Sequence, residues 1–193
     1  MSLILITGGA RAGKSTFADR LAYQLGGDDG VCYVATAEPG DDEMRARIAA
    51  HRAARLPGWR TFEAPRGLGP ILAALAEIPR VRVALVDCLT LLVSNVLLAQ
   101  LDAADPWPDV EAEINAVIRF AAQTAVTTIV VTNEVGLGIV PEHRLARVYR
   151  DLLGRANQRL AAAATEVYFV VAGIPLEIKG LGRPFTPRMG GRE

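Results

Sequence analysis

Three groups of residues in this sequence have the types and spacing that phosphate chemistry requires. The first is Gly8, Gly9, Ala10, Arg11, Ala12, Gly13, Lys14 and Ser15, which satisfies G-x-x-x-x-G-K-[ST], the spacing of a phosphate-binding loop. Glycines there let successive backbone N–H groups converge on phosphate oxygens where a Cβ would obstruct them. Lys14 would reach the β- and γ-phosphates, and the Ser15 hydroxyl would ligate Mg²⁺. An apolar run, Leu3 to Thr7, precedes the loop, and Phe17, Leu21 and Leu25 follow it at helical spacing. A strand's end and a helix's positive N-terminus therefore flank the loop, which predicts binding of a nucleoside triphosphate.

The second group is Asp87, which closes the apolar run Val83 to Val86. That setting suits a carboxylate holding Mg²⁺, directly or through water. The competing reading is a helix N-cap, because a helix is expected from Leu89. Asn133 and Glu134, after the run Thr128 to Thr132, could orient a substrate hydroxyl or merely cap their loop.

The third group surrounds His51, one of two histidines in the chain. Four-residue spacing puts Arg47, His51 and Arg55 on one side of a helix expected to run from about Asp41 to Arg55, with Arg52 adjacent. An imidazole there can act as a nucleophile, and the arginines can neutralise a phosphate that it attacks. From the residues alone, a solvated arginine-rich helix with an incidental histidine is the favoured reading.

The elements that must position these groups alternate along the chain. Strands are expected at Leu3–Thr7, Val31–Thr36, Trp59–Glu63 (at an edge), Val83–Asp87, Thr128–Thr132 and Val167–Val171. Helices are expected after the loop, over about 41–55, around Ile71–Leu75, from Leu89 to Leu101, from Val110 to Ala125, and from Pro141 to about Ala163. The stretch Asp102 to Asp109 reads as a loop. Such alternation predicts an α/β fold, a mainly parallel sheet with helices on both faces. Residues 1–179 read as one nucleotide-binding domain. Residues 180–193, with four glycines and two prolines, read as a C-terminal tail.

The 193 residues are 51% hydrophobic and 22% charged, ample for one core, and Lys+Arg balances Asp+Glu at 21 each. Zero net charge argues against a nucleic-acid partner. Cys32 and Cys88 show no metal-ligand spacing and read as small buried hydrophobes. The apolar stretch Val83 to Leu101 contains Asp87, and an aspartate inside a membrane span costs about 2.5–3.5 kcal/mol, so a strand and helix are expected instead of a span. The first strand starts at once, without room for a signal peptide, and a cytoplasmic protein is expected. A GTPase switch is disfavoured, since Asn133-Glu134-Val135-Gly136 stands where a guanine-reading Asn-Lys-x-Asp would follow a strand.

Taken in order, the phosphate loop, Asp41-Asp42-Glu43-Met44, Arg47-Ile48, His51, Trp59-Arg60-Thr61 with Glu63, Thr132-Asn133-Glu134-Val135-Gly136, Gly138-Ile139-Val140-Pro141-Glu142, Arg144-Leu145-Ala146-Arg147 and Asn157-Gln158-Arg159-Leu160-Ala161 resemble the bifunctional adenosylcobinamide kinase/adenosylcobinamide-phosphate guanylyltransferase family. The resemblance extends to about Lys179. It implies a RecA-like P-loop fold, a homotrimer, and two reactions of cobalamin assembly. Adenosylcobinamide is phosphorylated with ATP or GTP, and GMP is then transferred from GTP to adenosylcobinamide phosphate through a guanylyl-histidine, which falls on His51. By the same carry-over, Ala35, Thr36, Ala37, Arg52, Ala53, Ala54 and Glu63 would line the GTP site. Two positions depart from the pattern. Ala50 stands where some relatives carry a second histidine, and His143 stands where Asn is expected, a surface or capping position. A small-molecule kinase with an inert His51, or a RecA-like ATP-binding assembly subunit, are the alternatives.

Overall fold

Alternation along the strands decides the architecture. In β1 (Leu3–Gly8), Leu3 and Leu5 join one apolar cluster while Ile4 and Ile6 join another, and all four are buried. β2 (Val31–Ala35) and β4 (Val83–Asp87) divide in the same way. Strands buried on both sides need helices on both faces of the sheet. In the computed structural model, which describes residues 2–40, 42–53 and 55–181, α1 (Lys14–Gly26) covers one face through Ala18 and Ala22. The other face is covered by α3 (Leu68–Ala76), α4 (Leu89–Leu98), α5 (Trp107–Gln123) and α6 (Arg144–Ala163). The remaining elements are α2 (Asp42–Ala53), β3 (Arg60–Glu63), β5 (Thr127–Val131), β6 (Glu166–Val171) and β7 (Ile174–Glu177).

The seven strands lie in the order β3-β2-β4-β5-β1-β6-β7, parallel from β3 through β6, with β7 antiparallel at one edge. The expected α/β sheet with helices on both faces is therefore present, and β3 occupies the edge assigned to it. The apolar stretch from Val83 is β4 and α4, and no helix among the described residues is long and apolar enough to cross a membrane.

Three helix boundaries and one strand depart most from expectation. α6 begins at Arg144, not Pro141; His143 is the exposed N-cap residue, and the Pro141 carbonyl accepts a hydrogen bond from Arg147 Nη1 at 3.0 Å. α5 begins inside the stretch read as loop, because Asp105 accepts the Trp107 N–H at 3.0 Å and Pro108 fits a first helical turn. α4 stops three residues early at Leu98, where Leu98 and Leu101 already face solvent. β7 lay outside every expected strand. It follows a two-residue turn at Ala172 and Gly173, both at positive φ (50° and 82°), the geometry of a type I′ hairpin. Lys179 then donates to the carbonyls of Ala161 (2.8 Å), Ala162 (3.1 Å) and Ala164, which caps the C-terminus of α6. The chain is thus tied down through Lys179, and residues 182–193 of the expected tail lie outside the described residues.

Candidate active site

In a parallel sheet, ligands bind outside the carboxyl ends of the strands. The phosphate loop leaves β1 there and is shaped by close packing. Gly8 has φ of +149°, and a Cβ on it would sit 2.3 Å from the Val170 carbonyl oxygen; Gly13 has φ of +97° and faces Gly173. The β6–β7 turn supports the loop directly, since Gly173 N–H donates to the Ala12 carbonyl at 2.9 Å. From the other side, Glu134 N–H donates to the Gly8 carbonyl at 3.1 Å. Lys14 is buried in the first turn of α1, and its Nζ donates to the Gly9 carbonyl at 2.7 Å. Burial lowers the pKa of Lys14, while the nearby acidic groups Cys88 and Asp87 oppose that shift.

Asp87 ends β4 with its side chain turned toward β2. Its Oδ2 accepts the Tyr33 hydroxyl hydrogen at 2.7 Å, and the N-cap residue of α4 is Cys88, with no side-chain cap bond. Asp87 is therefore not the cap of α4. Burial, then the charge and hydrogen bond of Asp87, push the Tyr33 phenol well above its usual range. Burial also raises the Cys88 thiol to about 11, so it stays protonated near neutrality. Cys88 is half-buried, and only Cys32 is the fully buried small hydrophobe expected of both.

A cavity of about 560 Å³ collects most of the candidate residues. Ala10 to Thr16 line it with Ala35, Ala37, His51, Asp87 and Asn133. Arg55, expected beside His51 to neutralise a phosphate, shares that lining, as do Tyr33, Cys88 and Thr90, which the sequence reading did not place at the nucleotide site. Asn133 is fixed through its backbone: its N–H donates to Thr90 Oγ1 at 2.8 Å and its carbonyl accepts from Asn157 Nδ2 at 3.0 Å. Glu134 turns back on its own loop and accepts the Gly136 N–H at 2.6 Å.

His51 is exposed on α2 and opens on this cavity. The next residue, Arg52, faces a second hollow of about 450 Å³ and pairs with Glu63 at 2.6 Å. Ala37 and Ile48 border both hollows, so α2 forms a partition between them. Thr36 enters neither: it is fully buried, and its Oγ1 donates to the Cys88 carbonyl (2.7 Å) while accepting the Cys88 N–H (2.8 Å). Ala53 is exposed away from both, and Ala54 lies outside the described residues.

Asp19 on α1 is a further group with no sequence signal. Its pKa is raised to about 6 by burial and then by Asp87, against the opposing effects of His51 and Arg55. Tyr33 did carry a weak signal, as a lone phenol in an otherwise small and aliphatic strand whose hydroxyl needs a partner.

Residues 4–178 match the family model described as cobinamide kinase / cobinamide phosphate guanyltransferase. The chain is 44% identical over 185 residues to the bifunctional adenosylcobalamin biosynthesis protein CobU of Escherichia coli K12, covering 92% of this chain and 99% of that one. It is also 44% identical over 176 residues to CobP of Pseudomonas aeruginosa, covering 91% and 96%. Among solved structures, the ATPase domain of G40P superposes with a TM-score of 0.52 at 15% identity, over 87% of this chain and 68% of that one, a likeness of fold alone. With the match spanning nearly all of the sequence, the chain belongs to the cobinamide kinase / cobinamide phosphate guanyltransferase family.

Proposed function

We propose that this protein phosphorylates the aminopropanol hydroxyl of adenosylcobinamide with ATP or GTP. It then transfers GMP from GTP to adenosylcobinamide phosphate through a guanylyl group carried on His51. Family membership supports the pair of activities. One observation carries the covalent route: His51 opens on the same cavity as Lys14, Ser15 and Asp87.

In the phosphorylation step the loop N–H groups and Lys14 neutralise charge that develops on the transferred phosphoryl group. Ser15 and Asp87 offer oxygen donors only, a set that fits Mg²⁺, which keeps several waters and takes its remaining ligands from phosphates. The protonated Cys88 thiol beside them is a poor competitor for a metal. When bound, Mg²⁺ supplies charge neutralisation on the nucleotide phosphates.

For guanylyl transfer, an imidazole nitrogen of His51 bonds to the α-phosphorus as the bond to pyrophosphate breaks. Arg55, also on the cavity wall, would neutralise the α-phosphate. A phosphate oxygen of adenosylcobinamide phosphate then attacks, the P–N bond breaks, and the imidazole leaves with its proton still on the other ring nitrogen, the form in which it attacked. With the phosphates in the first cavity, Arg52 and Glu63 in the second hollow would hydrogen-bond ribose or base. Ala35 and Ala37 would line the passage. The family likeness also underlies a homotrimeric, cytoplasmic reading, which light scattering and fractionation test.

The test runs adenosylcobinamide and Mg²⁺ with γ-³²P- or α-³²P-labelled GTP in parallel. Both labels should appear in the corrinoid product. Label from the γ position alone would make the protein a simple corrinoid kinase.

A further inference from the structure

Tyr33 is the one aromatic residue of β2, and it is 4% exposed. A phenylalanine would fill that space equally well, so the hydroxyl needs a separate reason. In the sheet Tyr33 stands opposite Leu85, and Asp87 lies two residues farther along the same face. The phenol therefore leans along the sheet toward the ligand edge, where it donates to Asp87 Oδ2 at 2.7 Å. A carboxylate oxygen held this way keeps acceptor capacity for a metal.

The ring has a second occupant. The Arg55 guanidinium carbon lies 3.9 Å above its centroid, within the range of a cation–π contact. Arg55 Nη1 also donates to Thr61 Oγ1 at 3.4 Å, and its Nε is buried without a partner among the described residues. Arg55 lies two residues past the end of α2 and four past His51, with its N–H on the Arg52 carbonyl at 3.3 Å. Two centres meet on one side chain.

We infer that Tyr33 is a positioning residue for both transfer steps: its hydroxyl orients Asp87, and its ring seats Arg55 and thereby the helix that carries His51. The first half rests on the reading of Asp87 as a metal-holding carboxylate, and the second on the reading of His51 as the nucleophile.

Two substitutions separate the halves. Tyr33→Phe keeps the ring and loses the donor, while Tyr33→Leu loses both. The probes are Mn²⁺ binding, read by electron paramagnetic resonance with the α,β-methylene analogue of GTP, and the rate of α-³²P labelling at saturating Mg²⁺. Asp87→Asn is run beside them. Tyr33→Phe should weaken Mn²⁺ binding about tenfold, as loss of a hydrogen bond to a charged group does, and hold the labelling rate within about twofold. Tyr33→Leu should show the same Mn²⁺ loss and label about three- to tenfold more slowly. Normal Mn²⁺ binding in Tyr33→Phe, with binding lost in Asp87→Asn, overturns the proposal and leaves Asp87 as the metal carboxylate. Normal binding in Asp87→Asn overturns both. Equal labelling rates in Tyr33→Phe and Tyr33→Leu overturn the seat. Labelling of wild type that persists undiminished in His51→Ala overturns the nucleophile reading and the seat with it.

Should Tyr33→Leu fail to fold, Arg55→Lys keeps the charge and removes the planar stack from outside the core. It should slow labelling to a similar degree. A wild-type rate in Arg55→Lys overturns the seat.

Discussion

The phosphate loop and α2 face one cavity but are held in opposite ways. The loop is built on a strand buried at all positions but Thr7, pressed by Gly8 against the Val170 backbone, and bonded on both flanks by the backbone of other loops. Along α2, by contrast, most described residues are exposed. Its ties to the sheet among the described residues are side chains: the Arg52–Glu63 pair and, just past its end, Arg55 on Tyr33 and Thr61. Phosphate binding needs donors fixed before the ligand arrives. A nucleophile that must attack and later release its cargo can tolerate a lighter attachment. The difference suggests a division of labour, and substitutions in each region can break or sharpen it.

The largest effect should come from Lys14→Ala, which removes the buried cation of the fixed region. Phosphorylation of adenosylcobinamide should fall about 10²–10³-fold with little change in melting temperature, read by initial rates and calorimetry. Near-normal turnover would mean that the rigid loop does not carry the phosphoryl chemistry.

Gly8→Ala should come next, through stability. The new methyl group would overlap the Val170 carbonyl at a backbone angle that only glycine adopts readily. A loss of about 3 kcal/mol is expected, or about 6–12 °C in melting temperature. A small change would show that the loop's seat is softer than its contacts suggest.

Asp19 lies between the two regions and gives a pH signature. Its folded pKa, about 6, lies above the ordinary aspartate value of 3.8, so the folded state holds the extra proton between those limits. Stability from this group is therefore fully present below pH 3.8 and is lost as pH rises through about 6. Because Asp19 is partly exposed, the loss should be on the order of 1 kcal/mol. Asp19→Asn should flatten that part of the stability curve in metal-free denaturant titrations and raise stability at pH 7.5. An unchanged curve would place the charge in water.

The smallest effect should come from Arg52→Ala on the lightly held side. Its pair with Glu63 is exposed, so global stability should shift by less than about 0.5 kcal/mol. Amide exchange along α2 should nevertheless speed up relative to α1, because that pair is one of the few ties that the helix has among the described residues. Equal exchange would argue that α2 is as firmly seated as the loop.

The same contrast explains what was legible in the sequence. The loop is specified locally, by glycines, Lys14 and the flanking periodicities, so position and role could be read together. Asp87 could be placed at a strand's end, but its partner could not. Tyr33 meets it only because β2 lies beside β4, and strand order is not written in any local pattern. Thr36 was expected at the GTP site by family resemblance, and its hydroxyl is engaged instead by the Cys88 backbone across the same pair of strands. β7 was hidden because Pro175 interrupts a four-residue strand and Ala172 fills a turn position where Asn, Asp or Gly is the usual signal. On α2, a helical step of about 100° between neighbours sends His51 and Arg52 to different hollows. That divergence follows from periodicity; which hollow each would find does not.

The central claim is that His51, delivered by α2 to the loop's cavity, carries GMP. The most direct measurement incubates the protein with α-³²P-labelled GTP and Mg²⁺, denatures it, and follows label on the chain. The account predicts label that is lost in acid, retained in base, as a histidine phosphoramidate is, and absent from folded His51→Ala. Label that survives acid, or that persists in His51→Ala, would contradict it.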